Sequence, residues 1–269
     1  MQKPIQPITL IKIGGSLITD KNKPYTINEE ALNIIAKEVK KTTELGKKII
    51  IGHGAGSFAH LPAKKYQTHL GIKNQESYKG ISEVADVAAQ LNRIVTSKLI
   101  QENVNAVSIS PMSCMTAKNH DLSTIYTQSI EQLLQNEMLP VLYGDQIMDA
   151  EIGCTIFSTE KVLAFLALEL KNKGYQIEQI IQCGQTSGVY DKDGKTIPEI
   201  NSSNFSHYQQ ALGGSDGVDV TGGMLHKVEE TLELAKQGIP GLIIDGIVHG
   251  TLSDAIQGKE VLGTKITAS

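Results

Sequence analysis

Three glycine-rich segments of this sequence each carry a cationic or histidine side chain, a combination suited to binding phosphate groups. They read "KIGGSLITDK" (12–21), "GHGAGSFAH" (52–60) and "DVTGGMLHK" (219–227). Glycine lets the backbone approach a ligand closely, and N–H groups at the start of a helix attract an anion. Because Arg93 is the only arginine, anion binding must depend on lysine, histidine and backbone amides. The segments together predict phosphoryl transfer, which depends mainly on positioning and charge neutralisation.

The first segment places Lys12 at the end of an apolar run and small residues at the turn that follows. Gly14, Gly15 and Ser16 permit close backbone approach, and Lys21 supplies a second cation. The spacing matches neither the GxxxxGK[ST] phosphate loop nor the GxGxxG dinucleotide turn. Taken alone, the segment fits a tight turn with a solvated lysine equally well.

The second segment contains two histidines to which we assign different roles. Gly54 and Gly56 can approach a phosphoryl group, and the backbone from Ala55 to Ser57 offers N–H donors. We interpret His53 as the hydrogen-bonded end of a strand. We expect His60 to donate to a phosphate oxygen, because the charge of an imidazole responds to a bound dianion.

The third segment predicts a capped helix over residues 222–237. Thr221 is suited to the N-cap position, and Lys227, about two turns further on, is able to reach back toward a phosphate. Taken alone, it fits a surface helix with a flexible lysine. Three such segments at comparable strand ends favour the phosphate site.

Short apolar runs alternate with longer segments of helical period, which predicts an α/β fold with a mostly parallel sheet covered on both faces. Ligands bind such sheets at the carboxyl ends of the strands. The predicted strands are 9–13, 47–51, 105–109, 139–143, 179–183 and 241–245, and the predicted helices are 28–45, 78–101, 127–136, 160–172 and 222–237.

Composition narrows the function classes further. The 269 residues carry a formal net charge of −4, so no overall positive field draws the chain to nucleic acid or to an anionic membrane. The three cysteines, Cys114, Cys154 and Cys183, form no CxxC pair and are expected to be reduced thiols. No apolar run approaches membrane-spanning length, and the N-terminus shows no cleavage signature. We therefore expect a cytoplasmic protein.

The motifs resemble those of the amino acid kinase superfamily and, within it, the isopentenyl phosphate kinases. The resemblance runs from "KIGGSLITDK" through "HGAGSFAH", "GISEVADVAAQLNRIV" and "LPVLYGD" to "VDVTGGMLHK" and the terminal "GTKI". It implies a three-layer αβα sandwich that uses ATP and Mg²⁺ and forms a homodimer. It also implies an acceptor-binding lobe over residues 1–175 and a nucleotide-binding lobe over residues 176–269.

The resemblance also assigns residues to roles. Lys12, Lys21 and Lys227 match the lysines that hold the ATP phosphates and the transferring group, and His60 matches the histidine that binds the acceptor phosphate. We expect nucleotide contacts from Gly14, Gly15, Ser16, Gly188, Asp219, Thr221, Gly222, Gly223 and Met224. We expect acceptor contacts from Gly54, Ala55, Gly56, Ser57, Ile81, Val84, Ala88, Gly144 and Asp145.

Two departures from the family pattern fall in the nucleotide half. "GQTSG" (184–188) stands where "TDVDG" is usual, and "STEK" (158–161) stands where "SGDD" is usual. Glu160 is the nearest carboxylate that could replace an aspartate thought to organise the lysines. Alanines at 55 and 59 also stand where glycine is common. A fosfomycin-type or other small phosphonate or phosphate kinase, and a non-catalytic regulator with this fold, are the alternative functions.

Overall fold

The computed structural model describes residues 6–20, 22–213 and 223–269, in which strands and helices alternate. The strands are β1 (Ile8–Ile13), β2 (Lys48–His53), β3 (Ala106–Ser108), β4 (Met115–Lys118), β5 (Asp121–Ile125), β6 (Leu139–Tyr143), β7 (Asp145–Asp149), β8 (Gly153–Phe157), β9 (Ile177–Gly184), β10 (Glu199–Ile200), β11 (Gly241–Asp245) and β12 (Gly263–Ile266). The helices are α1 (Gly15–Ile18), α2 (Glu29–Glu44), α3 (Gly56–Tyr66), α4 (Gln75–Gln101), α5 (Pro111–Cys114), α6 (Gln128–Gln135), α7 (Thr159–Asn172), α8 (Phe205–Gly213), α9 (Gly223–Lys236) and α10 (Thr251–Ile256).

The larger sheet contains eight strands in the order β10-β12-β11-β9-β1-β2-β6-β3. From β11 to β3 every neighbouring pair is parallel, whereas β12 runs antiparallel to β11. The mostly parallel sheet predicted from the sequence is therefore confirmed. The antiparallel β12 was not predicted. It consists of the terminal "GTKI" segment, which is therefore a strand of the sheet.

Helices cover both faces of this sheet, and side-chain alternation along β1 determines which residues each helix contacts. Ile11 and Ile13 pack into a core shared with α2, α4 and α10. Leu10 packs on the other face with α7. Lys12 follows this alternation and therefore belongs to the α7 face, although every residue of β1 is buried.

A second sheet of four strands, in the order β5-β4-β7-β8, was missed by the sequence analysis. Its buried side chains, including Met115, Ala117, Ile147 and Phe157, join the core on the α7 face. The strands are short, and β5 carries polar residues on largely exposed positions. An apolar period of two is therefore hard to recognise over these residues.

One carboxylate organises the turns of this second sheet. Asp149 accepts backbone N–H groups of Asn119 at 3.0 Å, His120 at 2.9 Å, Glu151 at 2.9 Å and Ile152 at 3.1 Å. Burial opposes ionisation of Asp149, but these four hydrogen bonds lower its pKa to about 2. A carboxylate that accepts several amide bonds is stabilised in its charged form, so the turns depend on an ionised Asp149.

The predicted helices are confirmed within a few residues, and their capping explains the differences. α4 begins at Gln75 rather than 78 because Asn74 and Ser77 form a reciprocal capping box. Ser158 caps α7 by accepting the Lys161 N–H at 3.3 Å. Among the described residues, no helix combines the length and the apolar character needed to cross a membrane.

The division into lobes at 175/176 stays a prediction. β1 pairs with β2 of the first half on one edge and with β9 of the second half on the other. The two halves consequently share a continuous sheet, with the proposed boundary just before β9.

Candidate active site

The loops that follow β1, β2 and β9 meet at the carboxyl edge of the larger sheet. Ile13 is in register with His53 on one side and with Cys183 on the other, so these loops begin at the same level. The first loop is attached directly to β9, because the Gly14 N–H donates to the Cys183 carbonyl at 2.9 Å. This is the edge at which open α/β sheets bind ligands.

The first two glycine loops touch each other so closely that no side chain fits between them. A Cβ on Gly15 would lie 2.4 Å from the Gly56 amide nitrogen, and a Cβ on Gly54 would lie 2.7 Å from the Gly15 amide nitrogen. Gly56 also has a φ of 50°, which favours glycine. The two predicted anion-binding loops therefore form one backbone surface.

Thr19 holds the two loops together, and its hydrogen bonds change which of the predicted Ala55 to Ser57 amides is available to a ligand. Its hydroxyl donates to the Gly15 carbonyl at 2.8 Å and accepts the Ser57 N–H at 3.0 Å. The Ser57 amide is thus held within the protein, which leaves the Ala55 and Gly56 amides as the candidate donors to a phosphate. The Ser57 hydroxyl is buried without a hydrogen-bond partner among the described residues, so this is the Ser57 group that a ligand could engage.

Lys12 forms an ion pair with Glu160 in the first turn of α7. Their Nζ and Oε1 atoms are 2.6 Å apart, and the two side chains are 6% and 15% exposed. Burial would raise the pKa of Glu160, but the charge and hydrogen bond of Lys12, with the charge of Lys227, bring it below its usual value. Glu160 therefore contacts one lysine and lies in the field of the other, as an organising carboxylate must.

The start of α9 brings Lys227 to the same face of the sheet. The Gln182 side-chain amide donates to the Thr231 hydroxyl and, at 3.5 Å, to the Lys227 carbonyl. The Thr231 hydroxyl also donates to that carbonyl, at 2.6 Å. Gly223 and Met224 form the first residues of α9. The predicted site residues Lys21, Asp219, Thr221 and Gly222 lie outside the described residues.

His53 has the structural role predicted for it. It is fully buried at the end of β2 and stacks on Tyr143, with ring centroids 5.8 Å apart. Its Nδ1 lies 3.1 Å from the Gly54 carbonyl, and its Nε2 lies 3.1 Å from the Asn92 amide nitrogen. Burial lowers the pKa of His53 to about 4. The ring is therefore neutral and ties β2 to α4.

His60 differs from His53 in being exposed. It lies on α3, four residues after Gly56, which corresponds to about 6 Å along a helix. α3 therefore carries the close-contact glycine at its start and the imidazole one turn later.

Gly144 and Asp145 differ in what they present to the site. The Gly144 N–H and the Thr159 hydroxyl both donate to the His53 carbonyl, at 3.1 and 2.7 Å. Asp145 is 3% exposed, and its carboxylate accepts the N–H groups of Gln146 at 2.8 Å and Met112 at 3.3 Å. Burial nevertheless raises the pKa of Asp145 to about 6. Asp145 thus shapes the wall of the site rather than offering an open charge to an acceptor.

The predicted tail contacts lie on the N-terminal half of α4. Val84 and Ala88 are buried and Ile81 is partly buried. The residues of α4 that pack against the core beneath the sheet begin at Val87, so Ile81 and Val84 lie nearer the carboxyl edge. α4 also packs against β7.

The "GQTSG" loop is tied to two parts of the site. The Gln185 side-chain amide donates to the Ser16 carbonyl at 2.8 Å, which joins this loop to the first turn. Gly188 has a φ of 105°, and a Cβ there would lie 2.5 Å from the Thr264 hydroxyl. A side chain at this position would clash with β12, so packing alone requires a glycine here, whatever Gly188 contributes to nucleotide binding.

Four residues that the sequence analysis did not select hold the predicted ones in place: Thr19, Thr159, Gln182 and Gln185. Gln182 had a recognisable signal, because it is polar within an apolar strand of a buried sheet. Thr19 and Thr159 had no recognisable sequence signal, because each forms a hydrogen bond with a backbone amide or carbonyl that is distant in sequence. Only the folded chain reveals such contacts.

Comparison with known proteins defines the class. The amino acid kinase family model matches residues 7–245, and the chain belongs to this family. Within it, the chain is similar over nearly its whole length to proteins named isopentenyl phosphate kinase. It is 33% identical to the Methanocaldococcus jannaschii protein, covering 97% of this chain and 99% of that protein. It is 31% identical to the Methanothermobacter thermautotrophicus protein, covering 96% and 98%.

The solved structures agree with this assignment. A crystal structure described as isopentenyl phosphate kinase superposes with a TM-score of 0.80 at 28% identity, covering 97% of this chain and 100% of that one. The predicted fold class and family resemblance are both confirmed.

Proposed function

We propose that this chain transfers the γ-phosphoryl group of ATP to the phosphate of isopentenyl phosphate, giving isopentenyl diphosphate and ADP. An oxygen of the acceptor phosphate forms a bond to the γ-phosphorus as the bond from that phosphorus to the β–γ bridging oxygen breaks. The acceptor oxygen is already anionic near neutral pH, so no strong general base is needed. The observation that supports the proposal is the direct contact between the Gly15 and Gly56 loops, because two phosphate-binding loops that touch would hold the donor and acceptor phosphates side by side.

In this proposal the residues divide between the two substrates. Lys12 and Lys227, with Lys21, neutralise charge on the transferring group, and Glu160 holds the lysines. Gly14, Gly15, Ser16, Gly188 and the 219–224 segment contact the nucleotide. His60, the Ala55 and Gly56 amides and the Ser57 hydroxyl hold the acceptor phosphate, while Ile81, Val84 and Gly144 line its organic part.

Mg²⁺ is proposed to enter with ATP rather than to occupy a site built from protein carboxylates. Within the described ranges, no group of three or more His, Cys, Asp or Glu side chains could hold a metal ion. Glu160 is engaged by Lys12. When bound, Mg²⁺ would supply charge neutralisation between the phosphates, held by phosphate oxygens and water. A cytoplasmic location and a homodimer are also proposed, by analogy with the family.

The first experiment replaces His60 with alanine. We expect kcat/KM for isopentenyl phosphate to fall about 10- to 100-fold, since a hydrogen bond to a charged group is worth about 1.5–3 kcal/mol. His69→Ala is the matched control, because His69 is also exposed and lies just beyond α3. ADP release should be measured with isopentenyl phosphate, dimethylallyl phosphate and fosfomycin as acceptors.

The panel distinguishes the alternatives. Faster turnover of fosfomycin than of isopentenyl phosphate and dimethylallyl phosphate would replace the proposed acceptor by a phosphonate. ATP binding without turnover of any acceptor would favour the regulator. Unchanged activity of His60→Ala on isopentenyl phosphate would remove His60 from the acceptor site.

A further inference from the structure

Gln182 is a buried side chain beside the lysines that the roles assigned above do not use. We propose that Gln182 is a positioning residue, which sets Lys227 against Lys12 for phosphoryl transfer. The inference rests on the proposed function, in which both lysines neutralise charge on the transferring group.

The sheet places Gln182 next to Lys12. The two residues are partners in the parallel pairing of β1 with β9, and residues in register on neighbouring strands project to the same face. Gln182 is 3% exposed and Lys12 is 5% exposed. Gln182 therefore lies on the α7 and α9 face, between the strand of one lysine and the helix of the other.

The side-chain amide nitrogen of Gln182 connects the sheet to α9 at Lys227. The two protons of Nε2 are directed to the Thr231 hydroxyl and to the Lys227 carbonyl. Thr231 closes a triangle by donating to the same carbonyl at 2.6 Å. The backbone of Lys227 is thus attached to the strand beside Lys12 by side chains rather than by the sheet ladder.

Stability alone does not account for an amide at this position. The Oε1 atom of Gln182 is buried without a hydrogen-bond partner among the described residues. An unpartnered buried carbonyl costs stability, and replacing such a group by an apolar one of similar shape is often neutral or stabilising. An apolar residue would fill the space, but it would not hold the Lys227 carbonyl.

The test is Gln182→Met, which conserves volume and removes both polar atoms. We expect kcat to fall by about 10- to 100-fold, as for a slightly misplaced reacting group, and the Kd for ATP to rise. KM for isopentenyl phosphate should stay within twofold, because α3 holds the acceptor. Thermal stability should be unchanged. Thr231→Val removes the one hydroxyl of the triangle and should shift kcat in the same direction.

Gln179→Met is the matched control. Gln179 lies on the same strand, and its amide donates to the Ala255 carbonyl of α10 at 3.4 Å, so it makes the same kind of contact with a different helix. We expect its kcat and Kd for ATP to equal those of the wild type. An equal fall in kcat for both variants, or a normal kcat in Gln182→Met, would overturn the inference.

The measured Kd for ATP tests this inference independently of the proposed function. If the wild type transfers no phosphate to isopentenyl phosphate, the proposed acceptor is wrong, yet the Kd for ATP still compares the variants. Weaker ATP binding in Gln182→Met and Thr231→Val, but not in Gln179→Met, would then support the positioning role. Equal ATP affinity in all four proteins would contradict it.

Discussion

Lys12 places a positive charge inside a strand whose every residue is buried. A buried charge is tolerated when it is paired and hydrogen-bonded. Glu160 meets that condition from the start of α7, so a departure from the usual family sequence still yields a paired lysine.

The charge of Glu160 should therefore contribute to stability in a pH-dependent way. Glu160→Gln leaves Lys12 buried without its counter-charge, which we expect to lower the free energy of unfolding by about 3 kcal/mol at pH 7. Because the folded-state pKa of Glu160 lies below the ordinary glutamate value of 4.5, this contribution is complete above about pH 5. It is lost as the pH falls through the folded-state value. Urea unfolding of both proteins at pH 7 and at acidic pH measures it.

Glu44→Gln is the control for this effect. Glu44 pairs with Lys40 at 3.8 Å on the surface of α2, and its side chain is 63% exposed. Such a pair contributes about 0–1 kcal/mol. A similar loss in both variants, or a loss in Glu160→Gln that does not change with pH, would argue against a buried charge pair.

At the scale of elements, α1 and α3 begin in direct contact through glycine backbone. The two loops can form one anion-binding surface only while no side chain separates them. The site is therefore as sensitive to an added methyl group as to a lost charge.

Gly15→Ala tests this contact. Its Cβ would lie 2.4 Å from the Gly56 amide nitrogen, so backbone must move, and overpacking of this kind costs about 1–3 kcal/mol. We expect a lower melting temperature and a kcat/KM reduced at least tenfold, about 1.4 kcal/mol in barrier. Gly184→Ala, at the end of β9, is the control, since its nearest atoms would be 4.0 Å away. Equal activity in the two variants would show that the loop contact does not matter.

The elements also show what sequence can and cannot predict here. The strands before the glycine loops were predicted within two residues because buried parallel strands form continuous apolar runs. The β7 strand was missed because the chain leaves β6 at Gly144 and pairs again at once, in a second sheet that no period reveals. The sequence predicted that Glu160 could organise the lysines, but it did not predict an ion pair between Glu160 and Lys12. The contacts of Thr19 and Gln182 depend on tertiary packing that local patterns do not contain.

At the scale of the molecule, β1 joins the two halves of the chain. It pairs along its whole length with β2 and with β9, and its side chains contribute to the cores on both faces. Unfolding of either half would remove a strand that is hydrogen-bonded to β1 and would therefore destabilise the other half.

We therefore predict one cooperative unfolding transition for the whole chain. Ile51→Ala in β2 and Ile181→Ala in β9 each truncate a fully buried side chain, and each should cost about 2–5 kcal/mol. Both variants should shift the same single transition, with equal calorimetric and van't Hoff enthalpies. Two separate transitions, each shifted by only one of the variants, would instead show that the lobes fold independently.

The ion pair of Lys12 with Glu160 has a consequence for turnover. In the proposed reaction, a nucleotide phosphate would meet in Lys12 a lysine that already has a partner. On that proposal, ATP binding would exchange one partner of Lys12 for another, and release of ADP would return Lys12 to Glu160. Groups that bind ground state and transition state equally tightly do not raise kcat. In the proposed reaction, a carboxylate that competes for Lys12 would weaken the binding of ADP and so favour its release.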